Sequence, residues 1–376
     1  MRASLSANIT SVQRATARYI HTTSLGVVVL FALSGCTSCG YYLQAAGGQF
    51  EIWQRQQSID RLLAQHDLPA ALRSKLELVV KARQFAASQL ALPDHGSYHS
   101  YADIGRDYVV WNVIAAPELS LTAHPSCYPM LGCLDYRGFF KQANARLYAT
   151  TLQARGFDTF VGGVAAYSTL GWLHDPLLSS VLRWDSQRVV DTVFHELAHQ
   201  RLYIAGDTTF NESFASAVAH AGMALWLGPQ SPPYQRYVRE QARETAFIAL
   251  LRDYRERLAA TFAAPLPASH KRAEKARLYG ALRSAYGELK ARWGGANAYD
   301  QWMDNDLNNA KLVSLAAYHD DIAAFNGVLT RCARDFAQFY RVVARLGALA
   351  VPARRRCLAQ LGAAGQVEPA CLTLLH

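Results

Sequence analysis

The chain has 376 residues, 51% of them hydrophobic, which is enough to bury a sizeable core in one large domain or two modest ones. The formal charge is +9, but residues 1–35 hold three arginines (Arg2, Arg14, Arg18) and no acid, leaving +6 for the rest. In that remainder bases and acids alternate, as at Arg239, Glu240, Arg243 and Glu244, the pattern of a solvated helix face, so no nucleic-acid partner is expected.

Residues 2–23 are polar with scattered arginines, and residues 24–34 form an apolar run that closes in small residues, the layout of an export signal. The run is far shorter than the roughly 20 residues of a membrane-spanning helix. It ends in Leu33-Ser34-Gly35-Cys36, which resembles the bacterial lipoprotein cleavage box. That resemblance implies a signal peptide over 1–35, acylation of Cys36 as the new N-terminus, and a membrane anchor through it. Thr37 in place of Asp implies the outer membrane, with the protein facing the periplasm of the cell envelope. Ordinary signal cleavage and an uncleaved anchor are the alternatives. An exported chain permits disulfides. Cys127 and Cys133 flank a short loop with Pro129 and Gly132 and form the first expected pair, followed by Cys357 with Cys371. No cysteine pair has the spacing of a zinc knuckle.

Residues 50–92 carry apolar positions at helical spacing (Ile59, Leu62, Leu63; Leu76, Leu78, Val79), which predicts two helices divided near Pro69. Tyr98 to Val113 reads as a strand, Pro117, Pro125 and Pro129 mark loops, and Thr159 to Thr169 reads as another strand. From about Gln187 the chain reads as helical. Residues 234–262 and 268–293 are amphipathic and separated by Pro265 and Pro267, as in a helical hairpin. The expected fold class is α+β, predominantly helical. An N-terminal helical segment with a small mixed sheet fills 36–185, and 186–376 holds the active-site helices and a helical C-terminal subdomain. There is no internal repeat.

The informative segment runs from Val189 to Gln200. Val189, Val190, Val193, Phe194, Leu197 and Ala198 form one apolar stripe at helical spacing, so the segment is a core helix, capped at Asp185 or Ser186. On it His195, Glu196 and His199 spell H-E-x-x-H. Histidines four apart stand one turn above each other and can share one metal ion, and two histidines and a glutamate on such a helix are costly to bury without a cation. A catalytic Zn²⁺ takes three protein ligands and leaves a position for water. Glu196, beside His195, is then the general base.

With Glu212 thirteen residues past His199, the chain reads Phe210-Asn211-Glu212-Ser213-Phe214-Ala215, which resembles the gluzincins, where the glutamate of such a segment completes the site. The resemblance makes Glu212 the third ligand of one zinc ion; the plain alternative is an acid favoured by the macrodipole in the first turn of a helix. The interval from His199 is short, so the turn through Gly206-Asp207-Thr208-Thr209 must be tight, and Ser216 stands where some gluzincins carry an Asp. Asp207 is the rival ligand. The metzincin pattern fails at Leu202 and Ala205. Zincins commonly recruit a Tyr or His to the oxyanion; Tyr318, on the polar helix expected from Asn308, is the candidate, with His319 and Tyr203 in reserve.

The Cys36 box, Ala166 to Trp172 with Asp175-Pro176-Leu177, the two site blocks and Asn308-Asn309-Ala310 through Tyr318 together resemble a bacterial family labelled "putative aminopeptidase". This similarity implies a zincin-like metallopeptidase acting on peptides. It also implies that the strand Gly163–Thr169, with Tyr167 and Ser168, binds extended substrate by β-augmentation. A zinc endopeptidase of the cell envelope and a non-catalytic lipoprotein scaffold are the alternatives.

Overall fold

The computed structural model describes residues 36–94, 96–128, 132–166, 174–304, 306–314, 321–363 and 365–375; the expected signal peptide, 1–35, lies outside them. Two compact units are present, one of residues up to Glu51 with Cys127–Cys133, the other of Ile52–Ser126 with Leu134 onward.

Helix α1 (Cys36–Gln54) opens the described chain, in a stretch too rich in glycine for its composition to have announced it. The two helices expected over 50–92 become the end of α1, a strand β1 (Gln56–Ser58), a short helix α2 (Ile59–Leu63) and α3 (Ala70–Gln89), which starts after Pro69 as expected. β1 exists because Gln56 to Ser58 pair antiparallel with β2 (Ser100–Ala102), a partner that local periodicity does not reveal. The single strand expected from Tyr98 to Val113 is two. The Asp103 carboxylate accepts from the Gly105 amide (2.9 Å), and Gly105 at φ +63° breaks β2 from β3 (Val110–Pro117).

Strands β4 (Ser126–Tyr128) and β5 (Gly132–Leu134) pair with each other, and the expected Cys127–Cys133 disulfide closes their loop. In the same small unit the Tyr41 ring stacks on Tyr128, centroids 4.1 Å apart. Then come β6 (Arg137–Phe139), α4 (Gln142–Gln153), β7 (Phe157–Val164) and β8 (Leu177–Leu178). One expected mixed sheet is therefore a mixed trio, β1-β2-β8, beside an antiparallel trio, β6-β3-β7, whose inner face packs Val113, Ala115 and Phe139 on Ala145, Ala149 and Leu152 of α4.

The remainder is helical, and the class is α+β with helix predominating. Helices α5 (Ser186–Arg201) and α6 (Thr208–Leu227) lie at the centre of the largest core. Phe194, Leu197, Phe214 and Val218 are at most 1% exposed there, and each such burial is worth roughly 1.5–3 kcal/mol. The two helices come close because Gly222 of α6 meets the Phe194 ring, where a Cβ would stand 2.8 Å from it. The hairpin α7 (Pro232–Ala263) and α8 (Ala268–Arg292) matches the expected one and has its own core of Phe247, Leu251, Leu258, Leu278, Leu282 and Tyr286. Short α9 (Asp300–Asp304) and α10 (Asn309–Val313) precede α11 (Ile322–Arg331), α12 (Phe336–Ala348), α13 (Val351–Gly362) and α14 (Pro369–Leu372). Phe325 of α11 sets its ring against Phe210 and Phe214 of α6, and the second expected disulfide, Cys357–Cys371, ties α13 to α14. No described helix is long and apolar enough to cross a membrane.

Candidate metal centre

Asp185 caps α5, its carboxylate accepting from the amides of Gln187 (2.9 Å) and Arg188 (3.0 Å). The apolar stripe faces the core, with Val189, Val190, Val193, Phe194, Leu197 and Ala198 all at most 1% exposed. This fixes the rotation of the helix and carries His195 and His199 toward α6. Their rings meet edge to face at 4.7 Å between centroids. Between the helices, the tight link forms at Gly206 (φ +81°) and is held by Asn211, fully buried, whose amide accepts from the Ile204 N–H (2.8 Å) and donates to the Ile204 carbonyl (2.8 Å).

That link brings Glu212 onto the histidines. One carboxylate oxygen lies 3.2 Å from His195 Nε2, the other 3.4 Å from His199 Nε2, and the two Nε2 atoms are 3.1 Å apart. The three side chains could hold a metal ion. Ligand atoms bonded at about 2.0–2.1 Å in a tetrahedral zinc site stand about 3.3 Å from one another, so these separations suit such an ion. Glu212 points at imidazoles rather than at the free amides of its helix, where Asp207 supplies the cap to Phe210 (3.2 Å). Asp207 is no rival: its other oxygen is bound by the buried Arg354 (2.6 Å), and it is outside the ligand group.

Burial alone would raise the Glu212 carboxyl, yet its bonds to the two histidines hold it well below the usual carboxylate range. Burial disfavours the charged His195, but Glu212, Glu196 and Asp191 outweigh it and the imidazole is raised. Ser216 lies one turn beyond Glu212, its Oγ 3.4 Å from His195 Nδ1, a contact that can orient the ring. Burial pushes the Glu196 carboxyl above its ordinary value, against the pull of His195 and His199.

Two neighbours of Glu196 were not assigned to the site from the sequence, although Asp175 stands in one of the blocks that carry the family resemblance. Tyr98 is buried at φ +61°, its amide donating to the Asp175 carbonyl (2.8 Å) and its own carbonyl held by Arg83 (3.1 Å). Burial, then the charges of Glu196 and Asp175, raise its phenol well above the usual value. Asp175, 4% exposed, also bears on Glu196. Tyr237 donates to Asp191 (2.6 Å), whose charge also bears on the partly buried His220 and Glu244.

The polar helix expected from Asn308 to Tyr318 is corrected. α10 ends at Val313, and its asparagines serve the fold. Asn309, fully buried, donates to the carbonyls of Pro117, Glu118 and Ser120 and accepts from Tyr279, and Asn308 donates to the Thr159 carbonyl. Tyr318 and His319, like Tyr167 and Ser168, lie outside the described residues. Tyr203 is 45% exposed, its ring centroid 6.3 Å from that of His199.

A family model described as "Putative aminopeptidase" matches residues 40–358, a span that contains the whole of this centre. The chain belongs to that family. The family's description fits a peptidase, and the span begins four residues after Cys36 and ends at Leu358 within α13, taking in both helices of the centre and the strands before them. No match was found among curated proteins or among solved structures.

Proposed function

We propose that the chain is a zinc-dependent peptidase, an aminopeptidase, in which His195, His199 and Glu212 hold one Zn²⁺. The observation that carries this reading is the convergence of the donor atoms, two Nε2 atoms 3.1 Å apart on a core helix with the two Glu212 oxygens from the next helix at 3.2 and 3.4 Å, one on each. The family description supports the peptidase class. When bound, zinc supplies Lewis acidity, acidifying water and polarising a scissile carbonyl.

Glu196 is the general base. It follows His195 on α5 and is not one of the three donors, so its carboxylate is left to take a proton from the attacking water and return it to the departing amine. A raised carboxyl suits a group that must both accept and release that proton. Tyr318 is proposed as the oxyanion donor. Its support is the Asp321 amide, which donates to Ser213 Oγ (3.2 Å) beside Glu212, and three residues reach at most about 10 Å. Tyr167 and Ser168 are proposed to line an extended substrate that pairs with the edge of β7, whose one strand neighbour among the described residues is β3. Export and anchoring through Cys36, facing the periplasm from the outer membrane, complete the proposal.

The test is a peptide-library digest read by mass spectrometry. The reading expects single residues to be released from free amino ends, loss of cleavage on chelation, recovery with zinc, and no attack on N-acetylated copies. Cleavage indifferent to chelators refutes the metal; cleavage within acetylated peptides refutes the exopeptidase and makes the protein an endopeptidase.

A further inference from the structure

Helix α1 turns large apolar side chains outward, where a core helix would bury them. Leu43 is 69% exposed, Phe50 54% and Tyr42 36%, and Gly40, Ala46 and Gly47 are exposed with them. At 100° per residue these six positions fall on one side. The opposite side carries Tyr41, Gln44, Ala45 and Gly48, which are partly or fully covered, and Tyr41 there stacks on Tyr128. The chain thus shields a glutamine and leaves its leucine and phenylalanine bare. From Cys36 to Phe50 there is no Asp, Glu, Lys, Arg or His. An uncharged face of this kind is costly in water, and exposed leucine and phenylalanine side chains flanked by a tyrosine suit the boundary of a bilayer.

The geometry points to this face of α1, through Tyr42, Leu43, Ala46 and Phe50, as a surface that lies in a phospholipid bilayer. Two further facts select lipid as the occupant. Cys36, the last residue of the cleavage-box sequence, is the first residue of α1 and stands seven positions, two helical turns, before Leu43. An anchor there would deliver the helix to the membrane surface. The apolar run of 24–34 that precedes it is also a membrane-directed segment, and it joins the chain at this same end. The inference rests on the proposed export to the envelope but not on acylation, since the face is apolar whether or not Cys36 is modified. With acyl chains present it adds a second membrane signal and holds the helix flat, so that the short unit with the Cys127–Cys133 hairpin rides on the bilayer.

The test uses the full-length chain in intact cells, with Leu43, Phe50 or, as the control, Gln44 replaced by photoreactive p-benzoylphenylalanine. After irradiation, adducts are identified by mass spectrometry, and the state of Cys36 is read from the mass of the N-terminal peptide. The expected result is phospholipid adducts at 43 and 50 about tenfold above those at 44. Adducts chiefly with a second copy, with another protein or with residues 1–35 overturn the proposal, as does an equal yield at all three positions or none. The two readings separate cleanly. Lipid adducts on a chain with unmodified Cys36 refute the acyl anchor and keep the face; an acylated Cys36 without lipid adducts refutes the face alone.

Discussion

At the scale of single residues, the division of labour in the centre follows from where each charge sits. Three donors converge, and Glu196 stands next to them without joining them. Glu196→Gln preserves the volume and removes the base. It is expected to keep zinc at wild-type stoichiometry while lowering kcat by about 10²- to 10⁴-fold, which metal analysis beside a peptidase assay will show. An active variant contradicts the role. His220 provides a pH test of the surroundings. Burial lowers its pKa from 6.5, the nearby Asp191 failing to offset this. Below 6.5 the unfolded chain therefore binds more protons at this position than the folded one. The stability it contributes is whole above 6.5 and is lost as pH falls through the lower folded value. In zinc-free protein the melting temperature should drop on acidification from neutral pH through that window, and His220→Gln should make the drop shallower. An unchanged slope contradicts the assignment.

At the scale of elements, helices were legible where local chemistry announced them. α5 has a cap, an apolar stripe and a polar motif on the opposite face, and the α7–α8 hairpin is cut by prolines. The sheets were not legible in the same way. β1 is Gln-Gln-Ser, which has little strand propensity and is made a strand by a partner more than forty residues away. Asn308 and Asn309 show the converse error, in which polar residues on a supposed helix suggested chemistry. They are polar because an element buried against β3 and β7 must satisfy carbonyls that leave the sheet. Asn309→Ala removes one donor from the Pro117 and Glu118 carbonyls, which keep the Ser120 amide and Lys275, and takes away the Asn309 partner of the Ser120 carbonyl and the Tyr279 hydroxyl. It should cost about 2–4 kcal/mol in urea unfolding and leave zinc content unchanged. An unshifted midpoint would show that the clamp contributes nothing.

At the scale of the molecule, one core buries α5 and α6 among α3, α11 and α12, so the centre is placed by packing rather than by loops. Of the site, His195, Glu196, His199 and Glu212 were singled out by spacing and by the block around Glu212, and Ser216 by its place one turn further on, whereas the approach of Tyr98 and Asp175 to Glu196 was not readable, since only the tertiary meeting of separate segments makes them neighbours. Both disulfides followed from short separations in the sequence. Cys357–Cys371 closes a separation of 14 residues, and a loop of that size is worth about 3 kcal/mol, so the Cys357→Ser, Cys371→Ser double variant should lose roughly that amount in denaturant unfolding. A loss near zero would mean that α14 adds nothing to the core. The claim on which the rest depends is tested most directly by anomalous diffraction at the zinc edge from crystals of the purified protein. The account predicts one peak per chain, about 2.0–2.2 Å from Nε2 of His195, Nε2 of His199 and a carboxylate oxygen of Glu212. A zinc-replete protein with no peak among these three side chains, or with its ion elsewhere, contradicts it.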